Sequence, residues 1–140
     1  MLIYLIGSLR CLAVPRVAAA LRADGHDVYD DWYAAGPEAD DHWQRYEQSR
    51  GRTFAQAITG RAAAHVFNND RSFLDRCVAG VLVAPAGKSA HLELGYVVGK
   101  GKLGYVLLDK EPARFDVMYR FADGVFYDID GLRRELKGVA

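Results

Sequence analysis

Three continuous apolar runs constrain the fold of this chain more than any other feature. They cover residues 2–7, 78–85 and 103–109, and each consists almost entirely of apolar residues and glycine. Strands of this composition are buried on both faces, which is typical of a parallel sheet covered by helices. The stretches between the runs contain helical patterns, so strands and helices alternate along the chain. We therefore predict an α/β fold.

Two weaker strand patterns, at residues 26–32 and 124–129, bring the predicted number of strands to five. We predict one domain over residues 1–140, a doubly wound, flavodoxin-like or Rossmann-like parallel sheet with strand order 2-1-3-4-5. Ligands of such sheets bind beyond the C-terminal strand ends, where the strand order reverses. This rule brings residues 7–10 (GSLR) together with residues 85–93 (PAGKSAHLE).

The segments between the strands predict the helices and loops. Pro15 stands at a plausible helix start, and Gly25 is an end signal for the same helix. The remaining predictions are a loop over residues 30–41, a mostly helical stretch over 43–64, a helix end and a turn over 66–77, and a terminal helix over 130–137.

Composition excludes several classes of protein. Eighteen basic residues balance eighteen acidic ones, so bulk charge favours neither polymeric nucleic acid nor a membrane surface as a partner. Cys11 and Cys77 lack the spacing of a metal or redox pair, and the four histidines show no metal-ligand pattern, so we expect neither metal nor cofactor. Residues 1–7 form too short an apolar run for a signal segment or a membrane span, and we expect a cytoplasmic protein.

The acid at position 93 lies between Leu92 and Leu94, near the start of a predicted helix. Ser89 is placed to cap this helix, whose dipole would favour an ionised Glu93. An ionised carboxylate in a fixed position is a good nucleophile for a sugar anomeric carbon and can form a glycosyl ester. The alternative, which the local pattern alone favours, is an acid that only satisfies the helix dipole.

Asp70, in the sequence FNNDR, is a second candidate carboxylate. Cleavage of an N-glycosidic bond needs a proton delivered to the departing base, or held near it, and an acid with a shifted pKa suits that task. The alternative is that Asp70 caps a following short helix, and the local pattern alone favours this alternative.

Other segments contain candidate binding residues. Residues 7–10 either hold an anion or a sugar 5′ group through loop amides, Ser8 and Arg10, or form an ordinary strand-to-helix loop. The tryptophans and tyrosines of residues 30–46 either stack on a base or pack that segment down. His91 either touches a substrate or faces solvent.

Taken together, these motifs resemble those of the nucleoside 2-deoxyribosyltransferase family. Residues 91–102, HLELGYVVGKGK, are similar to the family's nucleophile helix, and residues 68–70, NND, to its acid motif upstream. Residues 3–8, IYLIGS, are similar to its opening strand, with Tyr4 at the place of an active-site tyrosine. Residues 115–121, FDVMYRF, resemble the segment that reaches into a neighbouring subunit's site.

The resemblance implies a role for each matching residue. Glu93 would be the nucleophile, Asp70 would assist the base, and Tyr4 would orient Glu93. Asp116, where the transferases usually have Asn, and Met118 would act in the site of a neighbouring subunit. The implied partners are a small-molecule nucleoside or nucleotide and further copies of the chain, as a homodimer or a larger homo-oligomer.

Two departures from the family's pattern leave the substrate open. Gly87 stands near the place of a second base-binding Asp, so base recognition differs or moves to the aromatic segment. The GSLR loop, which begins at Gly7, is similar to the phosphate-binding loop of the related 5′-nucleotide N-glycosidases, where Arg10 and Ser89 would hold the phosphate. Asp116 would oppose such a dianion and would better accept a hydrogen bond from a 5′-hydroxyl, so we slightly favour a nucleoside.

Three functions remain as hypotheses. The first is cleavage of the N-glycosidic bond of a (deoxy)nucleoside through a covalent glycosyl-glutamate, with transfer of the deoxyribosyl group to another base or to water. The second is hydrolysis of the same bond in a 5′-monophosphate nucleotide. The third is a non-catalytic nucleotide-binding sensor, because a fold does not fix a function. We favour the first hypothesis.

Overall fold

The structure, a computed structural model, describes residues 1–140 as one parallel sheet between two layers of helices. None of the helices combines the length and the apolar character needed to span a bilayer. The strands are β1 (Leu2–Ile6), β2 (Asp27–Tyr29), β3 (Ala79–Val83), β4 (Leu103–Leu107) and β5 (Gly124–Phe126). The helices are α1 (Ala13–Ala23), α2 (Ala39–Ser49), α3 (Phe54–Ile58), α4 (Arg61–Arg76), α5 (Lys88–Gly99) and α6 (Ile129–Val139), with 3-10 helices at Asp31–Ala35 and Val117–Phe121.

The strand order is β2-β1-β3-β4-β5 with every neighbouring pair parallel, which confirms the predicted doubly wound sheet. β3 is buried along its whole length, and β1 and β4 are buried after their first residue. The strand order reverses between β1 and β3. The loops that follow these two strands therefore flank the crevice in which such folds bind ligands.

Successive strand residues point to opposite faces of the sheet, and this divides the core in two. Leu5 and Val81 belong to the core that α1 and α6 cover. Tyr4 and Leu82 belong to the core that α4 and α5 cover. The candidate residues Tyr4, Asp70 and Glu93 are thus all contributed by elements of the second face.

The prediction of a helix end and a turn over residues 66–77 is wrong. Helix α4 is continuous from Arg61 to Arg76, and Asp70 lies in its centre. A residue in that position caps no helix, so the structural alternative for Asp70 does not apply. Packing of α4 on the sheet, through Leu74 and Phe73, overrides the local preference of an Asn-Asn-Asp sequence for a turn.

Three other predicted boundaries also change. Residues 30–41 contain the 3-10 helix Asp31–Ala35 and the start of α2 rather than a loop. The stretch 43–64 is divided, because Gly51 adopts a left-handed conformation (φ 72°) after α2 and Thr53 starts α3 with a capping box to Gln56. The cap of α5 is Gly87, so Ser89 lies inside the first turn and caps nothing.

Glycines on β3 and β4 let α5 lie close to the sheet. A Cβ at Gly80 would stand 3.0 Å from Ile6 Cδ1 and 3.1 Å from Val97 Cγ2. A Cβ at Gly104, the register partner of Gly80, would stand 2.4 Å from Val98 Cγ1. The helix that contains Glu93 therefore approaches the strands more closely than side chains there would permit.

We predict that Gly104→Ala destabilises the fold by about 1–3 kcal/mol, because the added methyl group overlaps the stiff side chain of Val98. Denaturant unfolding of the two proteins measures the difference. Gly99→Ala is the matched control, since a Cβ there meets no atom within 4 Å. Equal stability of the Gly104 and Gly99 variants would contradict the proposed close approach.

Candidate active site

The structure brings Tyr4, Asp70 and Glu93 into one cluster. Tyr4 comes from the middle of β1, Asp70 from the centre of α4, and Glu93 from the second turn of α5. The Tyr4 hydroxyl interacts with the Glu93 carboxyl group, and the charge of Asp70 acts on both. Burial and the two carboxylates raise the pKa of Tyr4, so this phenol keeps its proton and serves as a donor.

Burial, against the opposing effect of the Tyr4 hydroxyl and with a smaller contribution from the charge of Asp70, raises the pKa of Glu93 to about 7. This result differs from the expectation that the helix dipole would favour the ionised form. The dipole acts mainly within the first turn, and Glu93 lies beyond it, so desolvation decides the titration. A carboxyl group with a near-neutral pKa, beside a second acid, is suited to nucleophilic or acid–base chemistry.

Asp70 is held by Tyr29, a residue that the sequence analysis missed. The Tyr29 hydroxyl donates to Asp70 Oδ1 at 2.9 Å, and Asn69 Nδ2 donates to the Tyr29 oxygen at 3.0 Å. Burial raises the pKa of Asp70, while these hydrogen bonds act in the opposite direction. The sequence placed Tyr29 in the middle of the strand pattern at residues 26–32, whereas β2 ends at Tyr29 in the structure. Site residues of this fold collect at such strand ends.

Several predicted binding residues line a cavity of about 300 Å³ at the reversal of strand order. Ser8, Arg10 and Cys11 come from the loop after β1. Pro85, Ala86 and Gly87 come from the loop after β3. Gly7 lies directly after β1, and Ser89 is exposed in the first turn of α5.

Arg10 has an acidic partner in the folded chain. Its Nη2 lies 3.2 Å from Asp41 Oδ2, and its backbone N–H donates to Ser8 Oγ at 3.1 Å. Both charged side chains are exposed, so water screens the pair and a stronger anion can compete for the guanidinium. Asp41, in the first turn of α2, was not predicted as a site residue.

Asp116 and Met118 are not brought to the cluster within the same chain. Asp116 Oδ1 accepts the Met118 backbone N–H at 2.8 Å and so caps the 3-10 helix Val117–Phe121. This helix is tied to α5 by Tyr119, whose hydroxyl lies 2.9 Å from His91 Nε2. Asp116 and Met118 are exposed, and neither hydrogen-bonds to Tyr4, Asp70 or Glu93.

His91 is exposed but has partners. Its Nδ1 lies 2.7 Å from the Gly87 carbonyl oxygen, which only accepts, so Nδ1 is the protonated nitrogen. Nε2 of the neutral ring then accepts from the Tyr119 hydroxyl, and the two rings lie parallel with centroids 5.7 Å apart. His91 therefore joins the start of α5 to the 3-10 helix.

The aromatic segment, residues 30–46, packs against the rest of the fold in part. Trp32 donates its Nε1 hydrogen to the Leu5 carbonyl oxygen at 2.8 Å and packs against both cores, so for this residue the packing alternative applies. Trp43 Nε1 is buried and has no hydrogen-bond partner.

Both cysteines are free and buried, and no group of three or more His, Cys, Asp and Glu side chains is arranged to hold a metal ion.

Comparison with known proteins supports the fold. No family model matches the chain, and no curated protein sequence matches it significantly. The structure is similar to a 2-deoxyribosyltransferase from Bacillus psychrosaccharolyticus, with a TM-score of 0.65, 18% identity and coverage of 94% of this chain and 90% of that chain. It is also similar to the CMP N-glycosidase BcmB of Clostridium botulinum, with a TM-score of 0.56, 12% identity and coverage of 98% and 99%. The fold that the sequence resemblance implied is therefore confirmed.

We predict that Glu93→Gln stabilises the protein at pH 8 and not at pH 4. The pKa of Glu93 is raised from 4.5 to about 7 on folding, so the folded protein binds more protons than the unfolded chain between these values and loses stability as the pH rises. We expect a gain of roughly 1–2 kcal/mol at pH 8, less than the full shift implies because the carboxyl group is partly solvated. Denaturant unfolding at the two pH values measures it, and an equal effect at both would contradict the raised pKa.

Proposed function

We propose that this protein cleaves the N-glycosidic bond of a nucleoside through a covalent intermediate on Glu93, with transfer of the sugar to another base or to water. The main support is the cluster in which a half-buried Glu93, whose desolvated carboxyl group has a pKa of about 7, lies beside Asp70 and the Tyr4 hydroxyl. The chain also shares its fold with proteins described as a 2-deoxyribosyltransferase and a CMP N-glycosidase. A simple binding module has no need for a desolvated pair of acids.

In the first step, an oxygen of ionised Glu93 attacks the anomeric carbon of the sugar. The bond between this carbon and the base nitrogen breaks, and its electron pair leaves with the base. Protonated Asp70 gives its proton to the departing base, and a glycosyl ester of Glu93 remains. Tyr4, whose hydroxyl interacts with the carboxyl group of Glu93, would hold that group in one orientation before the attack.

In the second step, the ester is resolved by a nucleophile that takes the place of the base. A nitrogen of a second base, or the oxygen of water, attacks the anomeric carbon, and the carboxylate of Glu93 is released. Ionised Asp70 accepts the proton that the nucleophile loses, which restores both acids. Competition between a second base and water decides between a transferase and a hydrolase.

The titration of the two acids suits this cycle near neutral pH. A nucleophilic Glu93 must be ionised, and with a pKa of about 7 it is ionised in an appreciable fraction of molecules at pH 7. The negative charge of Asp70 contributes to the raised pKa of Glu93, so below that pKa the two acids share one proton, and the reactive form is the one with this proton on Asp70 and with Glu93 ionised. Catalytic acids and bases work best when their pKa lies near the working pH.

The proposal includes a homo-oligomer in which Asp116 and Met118 act in a neighbouring subunit's site. Around them the chain exposes large apolar side chains: Leu92 is 75% exposed, Phe115 80% and Phe121 73%. Association of copies of the chain would cover such exposed apolar side chains. Burial between copies would also bring the 3-10 helix next to another chain's crevice.

A nucleoside fits the crevice better than a nucleotide. Arg10 Nη2 lies 3.2 Å from Asp41 Oδ2, so a phosphate dianion would have to compete with that carboxylate for the guanidinium, whereas a nucleoside would not. The second candidate function is a 5′-monophosphate N-glycosidase, and the cavity formed by Ser8, Arg10 and Gly87 is the observation that favours it. Both candidates use the same cluster around Glu93.

We predict that Glu93→Ala lowers base release by at least about 10³-fold, because the covalent route is lost. Purified protein is incubated at pH 8 with deoxynucleosides and their monophosphates, with and without a second free base, and the products are separated by chromatography. Glu135→Ala is the control, since this acid lies on α6, on the opposite side of the sheet. Wild-type turnover by the Glu93 variant, or no product with any substrate, would contradict the proposal.

We predict that Asp41→Asn increases turnover of monophosphates by about tenfold, since it frees Arg10 for a charge-assisted hydrogen bond to phosphate. Adding Arg10→Ala to this variant should abolish the gain. Steady-state kinetics with one deoxynucleoside and its monophosphate measure both effects. A wild-type protein that acts on monophosphates alone, and fails after Arg10→Ala, would establish the second candidate function instead.

A further inference from the structure

Two buried tyrosines stand side by side on the face of the sheet that α4 and α5 cover. Tyr4 of β1 and Tyr29 of β2 are register partners, and their ring centroids lie 5.0 Å apart. Tyr4 interacts with Glu93, and Tyr29 hydrogen-bonds to Asp70. Each carboxyl group of the cluster therefore has a phenol of its own.

The single proton of the Tyr29 hydroxyl has only one destination. Asn69 Nδ2 is a donor, and it points its hydrogen at the Tyr29 oxygen from 3.0 Å. The Tyr29 proton is thus directed to Asp70 Oδ1, at 2.9 Å. This chain of donors occupies Oδ1 of Asp70 and leaves Oδ2 without a hydrogen-bond partner in the protein.

The position of the Tyr29 hydroxyl is fixed by packing. Its ring lies parallel to that of Phe73, with centroids 3.8 Å apart and an interplanar angle of 6°. Only 5% of Tyr29 is exposed. Because Phe73 stands one turn after Asp70 on α4, the same helix clamps the ring and presents the carboxyl group to its hydroxyl.

We propose that Tyr29 is a positioning residue for the reaction at Glu93: its hydroxyl holds Asp70 by Oδ1 and so keeps Oδ2 available to the departing base. This inference rests on the proposed function, because it concerns the acid that assists the base. Tyr29 itself touches neither the sugar nor the base. It acts through Asp70, as Tyr4 acts through Glu93.

The same hydrogen bond affects the titration of Asp70. It stabilises the carboxylate against the effect of burial, so its loss would let Asp70 keep its proton to a higher pH. The other titratable groups that face Asp70 are Tyr4 on β1 and Glu93 on α5. The neighbouring cation Arg71 is directed to Asp75, 3.7 Å away.

The test is Tyr29→Phe, which keeps the stacked ring and removes only the hydroxyl group. The titration of Asp70 is followed by carbon-13 NMR of the side-chain carboxyl groups, with Asp70→Asn to assign the signal. We expect the pKa of Asp70 to rise, kcat for base release to fall about tenfold or more, and KM to change less than about twofold. In a plot of kcat against pH, the change in rate that reflects the titration of Asp70 should move to higher pH.

Tyr96→Phe is the matched control. Tyr96 on α5 also donates its hydroxyl proton to an acid of α4, Asp75. This bond lies outside the cluster, so its loss should leave the titration of Asp70 and kcat unchanged. An equal effect of the two substitutions would overturn the assignment of Tyr29.

Asn69→Leu is a second variant that removes the donor to Tyr29 and leaves the stacked rings in place. It should also raise the pKa of Asp70, by a smaller amount than Tyr29→Phe. If Tyr29→Phe fails to fold, the Asp70 titration in this variant tests the role of Tyr29. An unchanged Asp70 titration in the folded variants, with normal turnover by the wild type, would overturn the role of Tyr29 alone. Absence of turnover in the wild type would overturn the proposed function, while the titration would still report the hydrogen bond.

Discussion

The register of β1 with its two neighbours is the constraint on which the candidate site depends. Tyr4 is paired with Tyr29 on one side and with Gly80 on the other. A slip of one residue would turn Tyr4 to the opposite face of the sheet, away from both acids. Gly80 contributes by being small, since it leaves room for Val97 and lets α5 bring Glu93 down to the strands.

Desolvation of two half-buried acids in one cluster costs stability and shifts their titration. Desolvation raises the pKa of Glu93 to about 7 and also raises that of Asp70. Two phenols oppose this effect without adding charge, because the Tyr29 hydroxyl donates to Asp70 and the Tyr4 hydroxyl interacts with Glu93. In such an arrangement desolvation and hydrogen bonding act in opposite directions on the pKa of each acid, as they commonly do at functional sites.

The structure separates the chemical cluster from the parts that would select a substrate. Tyr4, Asp70 and Glu93 are contributed by a strand and two helices of one chain, whereas Arg10 and Asp116 lie in exposed segments between helices and strands. Loops tolerate sequence change better than the core on which they are mounted. This division is consistent with a chain that keeps the fold of its structural neighbours at 12–18% identity while no family model matches it.

The sequence by itself determined the parallel sheet, because uninterrupted apolar strands and the helices between them are local patterns. The strand order was expected from the doubly wound fold class, and the structure confirmed it. The sequence also supplied Tyr4, Asp70 and Glu93 as candidates through their motifs. Only the tertiary structure decided that Asp70 lies in mid-helix, that Glu93 is governed by burial rather than by its helix, and that Arg10 is paired with Asp41. The sequence did not reveal Tyr29 as a site residue, because its hydrogen-bond partner Asp70 lies 41 positions further along the chain. Such a partnership depends on strand register and helix packing, which no local pattern encodes.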